Sequence, residues 1–440
     1  MYGAYKFYFS DAMDQWGQTM NSKGVKSWSM LIGKHLVCQS AVRAINLFVG
    51  MVILWQLPLG EYALYTVAGL LLVVTSLGSD LGFTQAVNTI GARLCGDKQR
   101  IGVLFSSAYY YQKILLLFTS AAMAFMAAFM LFGHEWEVSE VIITLVLVLL
   151  TSWAQLPLNL RRTILNIHHD SDSLFLAGAS EAIVRLILVS ACFVLPSANI
   201  ALGINLVGVL VARVLLARKC GHLIEDNLDR DMNQCAELKA FVIPLVPIMI
   251  YYAFQNQISI FILGLLGNTV SIAEVGALGR LGQIIVVLHL IFPFFLQPYF
   301  ARMNDRYVFI RGVVRLSGVL ILISILGMLS AYLVPELWLF ILGENYSNLT
   351  DELPIAMMTA LQILAGGAIY TVVISRSVTS GQSWAVAVGL FSQIFYVLIY
   401  GVDSTYNALV LNMLPGIGYL LVQIALLTAV MRAWKGQWSK

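Results

Sequence analysis

Residues 29–57 read SMLIGKHLVCQSAVRAINLFVGMVILWQL, and how that stretch is understood decides the fold. It is apolar and longer than the roughly 20 residues a helix needs to cross a bilayer. It nevertheless carries Lys34 and Arg43. A cation in the hydrocarbon costs on the order of 3 kcal/mol or more at mid-depth, so each marks a candidate functional position. At about 100° per residue, Gln39, Arg43, Asn46 and Gly50 share one helix face. Lys34 stands nine residues before Arg43 and points the opposite way, close enough to the helix end to snorkel.

Working outward, the whole chain has this character. Of its 440 residues 59% are hydrophobic and 11% charged, well below the roughly 25% charged residues of a soluble domain. This excludes a soluble enzyme and points to a multi-pass membrane protein. The five cysteines, an odd number, show no metal-ligand spacing. No glycine-rich phosphate loop is present, and the six histidines are scattered apart from the pair His168-His169. The sequence therefore predicts a chain without catalytic residues, cofactor or metal, and with no nucleic-acid partner. The opening residues lack the pattern of a cleaved signal peptide. Met20 is as good a start as Met1.

Apolar runs predict twelve spans, near 29–57, 61–87, 101–132, 139–160, 173–196, 198–217, 240–266, 271–299, 313–335, 353–375, 384–401 and 406–431. One alternate set of connections holds Arg93, Lys98, Arg100, Arg161, Arg162, Arg218, Lys219, Arg230, Lys239, Arg302, Arg306, Arg311 and Arg376, and both termini belong to it. The other set holds acidic residues without Lys or Arg. The positive-inside rule then places both termini in the cytosol. Six spans on each side of a central basic connection suggest a parallel internal repeat. The expected division is a tail over 1–28, a first lobe over 29–217, a linker over 218–239 and a second lobe over 240–440. A 209-residue offset carries Arg43 onto Tyr252 and Asn46 onto Gln255, so spans one and seven are both polar at mid-depth. Prolines 244 and 247 predict a bend near the cytosolic end of span seven.

The intramembrane charges are Lys34, Arg43, Lys113, Arg185 and Arg280 against Asp80 and Glu181. Glu181 and Arg185, at i,i+4, are expected to pair. Asp80 is expected to pair with a cation or to cap a helix. Arg43 and Arg280 have no acid at helical spacing, and an unpaired guanidinium suits an anion with phosphate geometry. Arg43, Arg280, Lys113 and Lys34, with Gln39, Asn46, Tyr252, Gln255 and Asn256, are the candidate substrate-binding residues. Asp80, Glu181 and Arg185 are candidates for coupling or ion pairing.

Four segments carry a family resemblance: LPLGEYALYTVAGLLLVVTSLGSDLGFTQAV (57–87), QNQISIFILGLLGNTVSIAEVGALGRLGQI (255–284), FPFFLQPYFARM (292–303) and WLFILGENYSN (338–348). In order and spacing they resemble the multidrug/oligosaccharidyl-lipid/polysaccharide (MOP) exporter superfamily, and within it the Wzx-type O-antigen flippases. That resemblance implies an all-α integral membrane fold of the MATE/MurJ type. It would have twelve transmembrane helices in two pseudo-symmetric six-helix lobes, with both termini inside and alternating access. The implied activity is flipping of an undecaprenyl-pyrophosphate-linked oligosaccharide, the O-antigen repeat unit of lipopolysaccharide biosynthesis, across the bacterial inner membrane. Membrane lipids and other polysaccharide assembly proteins are the implied partners. A drug/cation antiporter of the same superfamily is the alternative. A polysaccharide polymerase or ligase fits less well, because the outer connections are short and lack basic residues.

Overall fold

The computed structural model describes residues 23–432 other than 95–96, 132–135, 169, 222, 226–230, 256, 267, 291, 293–295, 302, 304, 377 and 379–380. At 23–39, 93, 129–131, 171, 233, 248, 252, 253, 286–287, 290 and 298 it describes the backbone alone. All regular structure among the described residues is helical. In chain order the helices are α1 Lys23–Gln56, α2 Leu59–Asp80, α3 Phe83–Arg93, α4 Lys98–Leu131, α5 Val138–Ile167, α6 Ser171–Leu188 and α7 Ala198–Cys220. There follow α8 Met232–Val242, α9 Val246–Gln255, α10 Ile258–Leu265, α11 Thr269–Val286, α12 Gln297–Ala301, α13 Arg306–Leu333, α14 Pro335–Leu342, α15 Leu353–Ile374, α16 Ser383–Tyr400 and α17 Thr405–Arg432. Nine of the described helices are long and apolar enough to cross a membrane, and the described part of α1 adds a shorter apolar one, Ser40–Gln56. Helices are the form such sequences must take, because lipid offers the backbone no hydrogen-bond partner. The chain is a multi-pass membrane protein.

Several expected boundaries move, each for a local reason. Span two, expected unbroken over 61–87, is two helices. Leu81 and Gly82 both have positive φ, 42° and 98°, and Asp80 turns its carboxylate back onto the next helix. It accepts from the Thr84 amide at 3.0 Å and the Thr84 hydroxyl at 2.5 Å. That is a cap for the free amides at the start of α3. Span four was expected to stop at 160, but α5 continues to Ile167, through Pro157 and the pair Arg161-Arg162. Those arginines were placed in a loop and are helical. The expected linker, 218–239, likewise carries helix from Met232 onward.

Span seven is broken twice. A 3₁₀ turn over Ile243–Leu245 marks Pro244, as expected. A second break, after Gln255, was not expected. It frees the carbonyl of Gln255, and the buried Gln393 amide donates to that oxygen at 3.1 Å. The polar run that resembles a repeat of span one thus interrupts its helix, whereas α1 is continuous.

Within the first half, α7 packs on α5 and α6, α1 on α6, and α2 on α4 and α5. Within the second, α15 packs on α11, α13 and α17, and α17 on α16. The halves meet along α2 against α9, α10 and α11, and along α1 against α11 and α14. At the end of the bundle where α2 and α11 begin, buried residues of both halves join in one cluster, including Leu54, Tyr62, Ile272 and Tyr346. There Trp55 Nε1 donates to the carbonyl of Ile341 at 2.8 Å, and the Tyr62 and Tyr346 rings meet edge to face. Burial, together with the negative charge of Glu274, pushes the Tyr346 hydroxyl above its usual range. At the other end the buried residues separate into a cluster on α3–α8 and another on α12, α13, α15 and α17.

Candidate functional site

Three adjoining cavities share lining residues: two lie between the halves, and one lies within the first half among α1, α5 and α6. The middle one, of about 320 Å³, is lined by Arg43, Asn46 and Gly50 of α1, Tyr65 of α2, Arg185 of α6, Asn205 of α7, and Arg280 and Gln283 of α11, with apolar neighbours. Arg43 and Arg280, which have no acid at helical spacing, therefore face the same space. Arg185, expected as a coupling or ion-pairing residue, joins them there. Three guanidiniums from three helices thus converge on one cavity. Among the described residues, no carboxylate lines it.

Glycine explains how two of these long side chains fit. At Gly50 a Cβ would come within 2.9 Å of Arg280 Nη1, so the bare α1 backbone is the surface on which that guanidinium rests. At Gly208 of α7 a Cβ would meet Arg185 Cγ at 2.9 Å, so the Arg185 stem crosses α7 where no side chain intervenes.

The three arginines differ in what they are bonded to. Arg185 Nη2 pairs with Glu181 at 2.5 Å, and Arg185 Nη1 donates to Asn46 Oδ1 at 3.2 Å. The pairing expected from the i,i+4 spacing is present. What the sequence did not disclose is a second cation on the same carboxylate: Arg162 Nη2 lies 2.6 Å from the other Glu181 oxygen. The extension of α5 past residue 160 puts it there. Arg280 instead lies against tyrosines. Its guanidinium carbon sits 5.9 Å from the Tyr65 ring centre, with Tyr62 close by. Arg43 makes no hydrogen bond or ion pair with any described residue. A guanidinium with its fork of donors unspent needs water or an anion.

A second cavity, of about 370 Å³, shares Arg43 and Asn46 with the middle one and adds Arg162, Asn166 and Glu181. A third, of about 540 Å³, shares Tyr65, Asn205, Arg280 and Gln283. It reaches toward the end where both halves share a core, with Thr66, Gly69, Gln257, Gly279, Thr359 and Asn412 on its walls.

Other expected site residues lie elsewhere. Lys113 lines none of these three cavities; its ammonium covers the Tyr109 ring at 4.6 Å, one helical turn back on α4. Asp80 has no cation within ion-pair distance among the described residues. It is the cap described above and also accepts from Gln112 Nε2 at 2.7 Å. Gln255 lines none of the three cavities, and its carbonyl receives the Gln393 bond. Its neighbour Gln257, not singled out in the sequence, is the one in a cavity wall. The side chains of Lys34, Gln39 and Tyr252, and all of Asn256, lie outside the described residues. Tyr62, Tyr65, Asn205, Gln283 and Arg162 were missed. Periodicity could have shown Asn205 and Gln283 as amides inside apolar spans, but not which cavity they share.

No family model matches the sequence, and no curated protein does. Solved structures match by fold. The lipid II flippase MurJ in an inward closed conformation aligns with a TM-score of 0.66 at 13% identity, over 89% of this chain and 86% of that one. A eukaryotic MATE transporter aligns at 0.62 and 12% identity, over 92% and 95%. The Vibrio cholerae MATE transporter VcmN aligns at 0.56 and 18% identity, over 91% and 95%. The chain has the MATE/MurJ-like fold.

Proposed function

We propose that this chain is a transporter of the MOP superfamily that flips a lipid-linked oligosaccharide between membrane leaflets, with the pyrophosphate held by Arg43 and Arg280. The observation that carries this reading is the middle cavity itself: among the described residues, three guanidiniums line it and no carboxylate does. Glu181, from the adjoining wall, is already shared between two of the four nearby arginines. The remaining pair is short of negative charge, and a pyrophosphate supplies it with oxygens suited to bidentate bonding. Asn46 orients Arg185 beside them.

The sequence resemblance to Wzx-type flippases gives the cargo its identity, an undecaprenyl-pyrophosphate-linked O-antigen unit. The charge distribution puts both termini in the cytosol of the bacterial inner membrane, with twelve spans in two lobes, 29–217 and 240–440. Transport then runs by rocking of the lobes about the cavity. A membrane potential negative inside favours outward movement of anionic cargo by about 2.3 kcal/mol per charge per 100 mV.

A drug or cation antiporter is the second reading, favoured by the likeness to MATE transporters. Complementation separates the two. In a deletion strain of the native host, the wild-type gene is expected to restore surface polysaccharide. Arg43→Ala and Arg280→Ala, expressed equally, are expected to lower it tenfold or more, since each removes charge-assisted bonds. Full restoration by both variants would remove the pyrophosphate assignment. Restoration of resistance to lipophilic organic cations without polysaccharide would select the antiporter.

A further inference from the structure

Amide side chains in a membrane bundle are costly to leave unbonded, and most that are buried here are bonded. Gln112 donates to Asp80, Asn199 accepts from Thr144, and Gln382 and Gln423 bond each other. Four amides on the walls of the 540 Å³ cavity are unbonded: Asn205, Gln257 and Asn412 are half-buried and Gln283 is exposed, while buried Gln362, outside this cavity, is unbonded too. Asn205 of α7, Gln257 between α9 and α10, Gln283 of α11 and Asn412 of α17 make no side-chain hydrogen bond to any described residue. The Asn412 Oδ1 atom is fully shielded and still has no partner. Four elements from both halves thus place unspent amide side chains on the walls of one space.

We infer that this cavity is a glycan subsite, in which Asn205, Gln257, Gln283 and Asn412 read the hydroxyls of the sugar next to the pyrophosphate. The inference rests on the flippase reading and deepens it.

Three properties select a sugar over other occupants. No Asp or Glu among the described residues lines the cavity, so an organic cation finds no counter-charge from them there. Arg280, on its border with the middle cavity, is its one cation among the described residues, so the phosphates belong next door. A hydrocarbon tail would leave four amides unbonded, at a cost that hydroxyl groups relieve. The shape agrees. A Cβ built at Gly69 or at Gly279 meets nothing within 4 Å, so the walls are cut back to the backbone where a ring must pass. The Tyr65 ring offers an apolar face to sugar C–H groups. Because Arg280, Tyr65, Asn205 and Gln283 border both cavities, one molecule can place its pyrophosphate on the arginines and its first sugar among the amides. The sugar then lies nearer the end where the halves share one core.

The test is binding to the purified full-length chain in nanodiscs. Two probes are compared: undecaprenyl pyrophosphate without sugar, and the same lipid bearing the host's oligosaccharide, extracted from its membranes. Wild type is expected to bind the glycosylated lipid at least tenfold more tightly. Gln257→Ala with Asn412→Ala is expected to abolish that gain, at about tenfold or less per amide, and to leave the bare lipid unaffected. Gly69→Leu, whose Cβ has open space around it, is expected to do the same in a protein that melts like wild type. The subsite is refuted if wild type binds both lipids alike, or if Gly69→Leu keeps the gain. It is also refuted if the double variant, folded by its melting curve, keeps the gain. If the bare lipid binds and Arg280→Ala weakens it while sugar adds nothing, the flippase reading stands and the subsite alone falls. If neither lipid binds and a lipophilic cation does, both fall.

Discussion

The two sides of the middle cavity treat the same residue type in opposite ways. On the α5–α6 side, Arg162 and Arg185 hold one carboxylate between them, with side-chain exposures of 35%, 18% and, for Glu181, 13%. On the α1–α11 side, Arg280 leans on tyrosines and Arg43 is bonded to no described residue. Burial alone does not mark a binding residue; what matters is whether its charge is already answered. A neutralised cluster fixes the wall, and an unanswered one is available to cargo.

Substitutions can break that contrast. The largest effect is expected at Arg280. Arg280→Ala should weaken pyrophosphate binding on the order of 10–100-fold, measured on purified protein, because it deletes charge-assisted donors. Arg280→Lys should recover only part, since an ammonium lacks the planar fork. A variant that binds as wild type would make Arg280 part of the wall.

Next comes Glu181. Glu181→Ala leaves Arg162 and Arg185 facing each other and should cost about 2–3 kcal/mol, seen as a lower melting temperature. If it melts like wild type, the cluster is not structural. Gly50→Val should act without touching a charge. The new side chain occupies the place where Arg280 Nη1 now rests, so pyrophosphate binding should fall about tenfold while the fold is kept.

Asp80 is the second carboxylate in the contrast. Asp80→Ala should cost about 1 kcal/mol of stability through the lost cap. Asp80→Asn keeps an acceptor toward Thr84 and should transport normally. Loss of transport in a stable Asp80→Asn protein would restore Asp80 as a coupling residue. The smallest effect is expected at Lys113, whose contact is a cation–π pair on its own helix. Lys113→Ala should change stability by about 0.5–1 kcal/mol and leave pyrophosphate binding within twofold.

Much of the architecture was legible in the chain. Apolar runs of bilayer length gave helices because lipid permits the backbone little else. Arg43 and Arg280 stood out because an arginine in such a run is expensive. The Glu181–Arg185 pair followed from one turn of helix geometry. The errors came where a side chain, and not hydropathy, set the backbone. Hydropathy carries no sign of a carboxylate folding back, so span two was drawn through the Asp80 cap. The break after Gln255 is tolerated because Gln393, 138 residues away, bonds the freed carbonyl.

By itself, then, the sequence determined that the chain is helical, lies in the membrane and carries cations it cannot satisfy within one helix. Only the tertiary structure decided which cations stay unanswered. Glu181 could be shared because α5 runs far enough to bring Arg162 beside α6. Arg280 could reach the α1 wall because Gly50 leaves room for it. Whether a buried charge is free depends on partners brought from distant segments, and local periodicity holds no record of them.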